Sequence, residues 1–294
     1  MLRFVSFAKK SGSKHVNVGS LICDQNGNPS AIVDLTNAFK LNENDGMIDF
    51  IEKFSSNKIT KEIVVEHTSN TIASGKTLPF QEISLSAPIP IPRRNVMCVG
   101  KNYSDHVKEI AATSINSGSI SASSGPDTPT FPQYFSKVAN SVIGPSKYIE
   151  NHSGITKWLD YEAELAVIIG SKCRDVPKCN AMEVIFGYTV ANDVTARDLQ
   201  RKHNQWFKGK SLDTTCPMGP CILLASDISE KVHDLSIKLW VNGEKRQDSR
   251  TSKMIFNIPE LIHQLSSGLT VYLFVVIHIF IPYLQCFSCF HVFG

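Results

Sequence analysis

The chain has 294 residues, 30 Lys and Arg against 27 Asp and Glu, and a formal charge of +3. That length holds one large domain or two small ones with an ample core. So slight a charge, with no Lys- or Arg-rich run, speaks against nucleic acid as a partner. The eight cysteines are scattered, and the Cys-Phe-Ser-Cys spacing at Cys286 and Cys289 lacks the second pair a structural zinc site needs. Free thiols and the absence of a secretory signal point to a cytoplasmic or mitochondrial setting, although the N-terminus does not read as a mitochondrial presequence.

In chain order, residues 1–90 read as a small β-rich N-terminal domain. Residues 3–7, 16–23 and 31–35 alternate like short strands, with Asn26-Gly27 a natural turn, and a polar helix is expected over 46–54. Pro88, Pro90 and Pro92 stiffen a crossing segment and mark a boundary. The core is expected over 91–270. It begins with a buried strand at 95–100, and a loop rich in Ala, Thr, Ser, Gly and Pro at 111–130 interrupts it. Residues 185–193 read as a strand, 195–200 as the opening of a helix, 235–241 and the residues after Asn242-Gly243 as a hairpin, and 258–265 as a short helix.

Beyond Glu260 no Asp, Glu, Lys or Arg occurs. The apolar run at 269–281 is broken by His278 and falls short of the ~20 residues of a spanning helix, so a membrane partner is not expected.

The chemistry-bearing stretch is Asp-Tyr-Glu-Ala-Glu-Leu-Ala-Val-Ile-Ile-Gly at 160–170. On a strand, side chains two residues apart share a face, so Glu162 and Glu164 stand side by side at the edge of a core. Their repulsion and lost hydration are relieved by a hard divalent cation. The alternative is a half-exposed edge strand with two solvated glutamates. Asp193, at a strand end, is either a third carboxylate for that cation or the N-cap of the helix that follows. His106 and Glu109 at i, i+3 form either a proton-moving dyad or a surface pair. Lys210, in a Gly- and Thr-rich segment, can offset a developing oxyanion, and Arg197 can fork onto a substrate carboxylate. Both also read as ordinary solvated cations.

Taken together, these segments resemble the fumarylacetoacetate hydrolase family in its domain-containing branch. The motifs that carry the resemblance run in order. They are Ala-Pro-Ile-Pro from Ala87, Cys-Val-Gly-Lys-Asn-Tyr-Ser-Asp-His-Val-Lys-Glu from Cys98, and Phe-Ser-Lys from Phe135. There follow the 160–170 stretch, Gly-Tyr-Thr-Val-Ala-Asn-Asp-Val-Thr-Ala-Arg-Asp from Gly187, and Gly-Lys-Ser-Leu-Asp from Gly209.

The resemblance implies an α+β fold whose mixed sheet is rolled into a barrel-like core, in a homodimer. It implies Mg²⁺ or Mn²⁺ held by Glu162, Glu164 and Asp193, with Ca²⁺ a further candidate. His106 with Glu109 would move the proton or activate water, and Lys210 would face the metal-bound oxygens. Expected substrates are short β-dicarbonyl (2-oxo) acids such as acylpyruvates or oxaloacetate, which are hydrolysed, decarboxylated or tautomerised through an enolate. The resemblance stops near Thr270, where a substrate loop and closing strands are expected and residues 271–294 read as a divergent apolar tail. The alternative to an active enzyme is therefore a catalytically impaired, truncated variant.

Overall fold

The computed structural model describes residues 1–11, 15–103, 129–272 and the backbone of 276–279. His106, Glu109, nearly all of the 111–130 loop and most of the 271–294 tail lie outside the described residues.

The N-terminal strands β1 (Arg3–Lys9), β2 (Asn17–Cys23) and β3 (Pro29–Asp34) form an antiparallel meander. Helix α1 (Gly46–Ser55) buries Met47, Ile48, Phe50 and Ile51 on one face, the 3.6-residue pattern of an amphipathic helix. Its Lys53 reaches Asp49 at 2.8 Å and the carbonyls of Phe39 and Lys40. Helix α2 (Lys61–Ala73), capped by the Thr60 hydroxyl, buries Val64 alone. So weak an apolar stripe explains why no helix was expected there. Strands β4 (Leu78–Pro79) and β5 (Ile83–Leu85) pair with β3 and β1.

The remaining elements are β6 (Val96–Gly100), β7 (Gln133–Lys137), β8 (Val142–Ile143), β9 (Leu159–Asp160), β10 (Ala163–Ile169), β11 (Ile185–Asn192) and β12 (Thr195–Ala196). Helices α3 (Arg197–Lys202) and α4 (Phe207–Lys210) follow, then β13 (Cys216–Leu224) and the hairpin β14 (Ser236–Val241) to β15 (Glu244–Arg250). The hairpin turns at Asn242 and Gly243, both at positive φ as a tight two-residue turn requires. Helix α5 (Ile258–Ser266) is capped by the Asn257 carboxamide, which accepts from the Glu260 N–H at 3.0 Å. A last strand, β16 (Val276–Ile279), completes the order.

Among the described residues twelve strands share one sheet, in the order β4-β3-β2-β1-β13-β11-β10-β16-β6-β7, with β5 on β1 and β8 on β13. Mixed sheet and helices match the expected α+β class, but no closed barrel forms among these residues. The path is open, with β4 and β7 at its ends. The sheet also runs without a break from the N-terminal strands into the core, because Arg3 and Phe4 of β1 pair with Leu223 and Ile222 of β13. The apolar tail contributes too: β16 lies between β10, antiparallel, and β6, parallel.

Strand β10 is buried along its whole length, which is why it reads as a continuous apolar run. Ala166 and Ile168 join a core with Phe4, Phe50 and Phe186, whereas Leu165, Val167 and Ile169 face a second core with Leu261 and Ile262 of α5. In the first core the rings of Phe4 and Phe50 lie 4.9 Å apart and those of Phe54 and Phe186 5.4 Å apart. Burying each such ring stabilises the fold by about 1.5–3 kcal/mol. Glu162 and Glu164 continue the Ala166–Ile168 face, so the same alternation that builds the core delivers two carboxylates to its edge.

Candidate metal centre

Glu162, Glu164 and Asp193 each present a carboxylate oxygen to a common point, with these atoms within 4.8 Å of one another, and all three residues are buried. The chain reaches this arrangement by backbone pinning. Asp193 lies one residue past the end of β11, and its N–H donates to the Glu162 carbonyl at 2.9 Å. The Glu162 N–H in turn donates to Asn192 Oδ1 at 2.9 Å.

The N-cap alternative for Asp193 does not hold. Helix α3 begins at Arg197, because Thr195 and Ala196 first pair with Asp160 and Leu159. Nor do the two glutamates sit on a solvated edge. Glu162 is 2% and Glu164 1% exposed, and β10 has a partner strand on each side.

Three cations surround the carboxylates. Lys210 Nζ donates to Glu162 Oε2 at 2.5 Å and to Asp193 Oδ2 at 2.7 Å. Lys137 Nζ lies 2.7 Å from Asp193 Oδ1 and donates to the Val194 carbonyl at 3.0 Å. Arg197 Nη2 contacts Glu162 Oε1 at 2.5 Å, and its Nε donates to Asp160 Oδ2 at 2.8 Å. The sequence expectation for Arg197 was a substrate carboxylate. Its buried guanidinium is directed at Asp160 and Glu162, with Nη1 on Gln200 Oε1 at 3.1 Å, so it braces a carboxylate of the cluster.

Lys137 is the site residue that sequence reasoning missed. The signal was the Phe-Ser-Lys motif, in which one lysine on a half-buried strand passes for a solvated charge.

Packing sets the position of Lys210. The Phe135 ring lies 5.0 Å from its ammonium, and Trp206 stands edge-on to Phe135 at 5.4 Å. Gly209 lets α4 approach α3, since a Cβ there would lie 2.6 Å from the Gln200 nitrogen and 2.9 Å from the Ala196 carbonyl oxygen.

Burial and mutual repulsion weigh against the ionised carboxylates. Burial pushes the Glu162 carboxyl above its ordinary range, opposed by Arg197 and Lys210. Burial also raises Glu164 well above that range, and the charges of Asp193 and Glu162 push it further. For Lys210, burial would lower the ammonium, but Asp193 and Glu162 outweigh it and hold it charged. Counting Asp160, Glu162, Glu164 and Asp193 against Lys137, Arg197 and Lys210, the cluster carries one negative charge in excess when all are ionised. An all-oxygen donor set of this kind fits Mg²⁺, Mn²⁺ or Ca²⁺, not zinc. Each carboxylate oxygen keeps a lone pair beyond the one taken by a lysine or arginine.

The family description "Fumarylacetoacetate (FAA) hydrolase C-terminal" matches residues 95–277, running past Thr270. Oxaloacetate tautomerase YisK of Bacillus subtilis is 46% identical over 192 residues, which are 65% of this chain and 60% of that protein. The chain therefore aligns with less than two thirds of that relative's length. The mitochondrial oxaloacetate tautomerase fahd2 of Xenopus laevis is 35% identical over 272 residues, 92% of this chain and 76% of its own. A solved structure of fumarylacetoacetate hydrolase from Exiguobacterium antarcticum matches with a TM-score of 0.72 and 31% identity, covering 96% of this chain and 87% of that one. With the motifs, the sheet and the carboxylate cluster in agreement, the chain belongs to the fumarylacetoacetate hydrolase family.

Proposed function

We propose that the chain is a divalent-cation-dependent enzyme of 2-oxo acid chemistry, acting as a homodimer, with keto–enol tautomerisation of oxaloacetate as its first candidate reaction. The observation that carries this reading is the buried Glu162–Glu164–Asp193 cluster flanked by Lys137 and Lys210. The relatives named as oxaloacetate tautomerases favour that reaction over hydrolysis or decarboxylation of an acylpyruvate.

Glu162, Glu164 and Asp193 would hold Mg²⁺ or Mn²⁺, which when bound supplies Lewis acidity toward the carboxylate and carbonyl oxygens of the substrate. Removing a proton from the carbon beside the 2-oxo group moves an electron pair toward the carbonyl oxygen. Lys210 and Lys137, fixed at the cluster by Glu162 and Asp193, place positive charge where that oxyanion develops. His106 and Glu109 are assigned the proton movement by resemblance. Reprotonation on oxygen yields the enol, whereas water attack on a second carbonyl would give C–C hydrolysis. Arg197 acts indirectly, holding Glu162 through a bond that also anchors Asp160.

The test is Mn²⁺ titration with decay of the enol absorbance of oxaloacetate as readout, comparing the chain with Glu164→Gln. Turnover is expected to require the metal and to fall by more than about 100-fold in the variant, beyond the loss typical of an outer-shell partner. Equal metal-dependent turnover in both proteins would reject the assignment.

A further inference from the structure

The residue between the two glutamates, Ala163, is held by a side chain from a distant hairpin. Gln247 of β15 is 1% exposed, accepts from the Ala163 N–H through Oε1 at 3.0 Å, and donates from Nε2 to the Ala163 carbonyl at 2.7 Å. This is the hydrogen-bond exchange of an antiparallel ladder, made by an amide side chain in place of a strand. It falls where a strand partner is needed. The pairing of β10 with β16 runs from Ile168 to Leu165, and Ala163 is the next residue on β10 whose polar groups face that side.

On the opposite side the backbone of Glu162 bonds to Asn192 Oδ1 and to the Asp193 N–H. The Glu162–Glu164 stretch is thus clamped across its whole width at the point where both carboxylates leave it. Fixing the peptide at Ala163 fixes the Cα positions and directions of its two neighbours, because side chains at i and i+2 share one face only while the strand keeps its pleat.

Resting on the metal-site reading above, we propose that Gln247 is a positioning residue for the carboxylate centre, setting the separation of the Glu162 and Glu164 ligand oxygens through the Ala163 peptide. Its two bonds to Ala163 go to backbone atoms and not to a carboxylate. Its effect belongs in cation affinity and not in global stability alone. That separates it from its hairpin partner Leu239, buried at 6% exposure and paired opposite it, which packs in the same apolar cluster as Ala163 but has no polar group to hold that peptide.

The experiment measures Mn²⁺ binding by the loss of the free-ion electron paramagnetic resonance signal, alongside urea unfolding, in the full chain and in Gln247→Leu, Gln247→Glu and Leu239→Ala. Gln247→Leu is expected to weaken Mn²⁺ affinity by about 10–100-fold, the range for outer-shell partners. Leu239→Ala should lower the unfolding midpoint and keep near-normal affinity in its folded form. Gln247→Glu keeps the acceptor for the Ala163 N–H but sets a carboxylate oxygen against the Ala163 carbonyl. It should show an intermediate loss, and it decides the matter if the leucine variant does not fold. Unchanged affinity in the glutamine variants, or an equal loss in Leu239→Ala, would overturn the positioning role while leaving the metal site standing. A parent chain that binds no Mn²⁺ would overturn both.

Discussion

The two ends of the Ala166–Ile168 face of β10 are built on opposite principles. Below, around Phe4, Phe50 and Phe186, the core is apolar and closely packed. Above, Glu162, Glu164 and Asp193 sit with Lys137, Lys210 and Arg197 at almost no exposure. Taking such charges out of water costs several kcal/mol per ion before pairing returns part of it. Side chains chosen for stability alone would have continued the phenylalanine pattern upward. The difference shows which end is shaped for folding and which for a ligand, and it can be tested at both.

The largest effect is expected at the apolar end. Phe50 is fully buried and touches Phe4, Phe39, Phe54 and Phe186. Phe50→Ala should cost about 3–5 kcal/mol in urea unfolding by combining lost transfer energy with a cavity. Mn²⁺ affinity of the folded fraction should be unchanged, and a parallel loss of affinity would show that the two ends are not separable.

Glu164→Gln reverses the pattern. Its carboxyl is raised by burial and by neighbouring charge, so the ionised form is disfavoured in the folded state. A group with a raised folded pKa weighs against folding once the pH exceeds its unfolded value. The neutral variant should therefore unfold later than the parent at pH 7 without metal, and should lose the midpoint increase that Mn²⁺ gives the parent. An earlier metal-free midpoint would mean that the carboxylate stabilises the fold.

How much of this contrast the sequence revealed follows from the range of the signals. The alternation along 160–170 placed Glu162 and Glu164 on one face, and Asn242-Gly243 fixed the hairpin, because both are local. Lys137, the Asp160–Arg197 brace and the Gln247 clamp depend on residues that meet across 37 to 84 positions of chain or on a strand too polar to look buried. No periodicity records them. The β1–β13 pairing, which carries the N-terminal strands into the core sheet, escaped notice for the same reason, and the Pro88–Pro92 segment suggested a boundary that the hydrogen bonds cross. His106 and Glu109, expected as a proton-moving dyad, lie outside the described residues.

The smallest expected effect lies at Asp227. Its Oδ2 accepts from the Leu2 N–H and its Oδ1 from Lys61 Nζ, each at 2.5 Å, tying the first strand and α2 to the segment after β13. Burial would raise this carboxyl, but the bonds from Lys61 and Leu2 outweigh it and hold the group below its ordinary value of 3.8. Depression means that the ionised form belongs to the folded state. Its contribution is present above the unfolded pKa and fades as the pH falls through 3.8 toward the depressed folded value. Lys61 is 40% exposed, so solvent screens its share, and Asp227→Asn is expected to cost only about 1 kcal/mol at pH 7. Urea midpoints of parent and variant should differ at pH 7 and converge below pH 3.8. A gap that stays constant across that window would assign the effect to packing and not to charge, and would make Asp227 part of the apolar end.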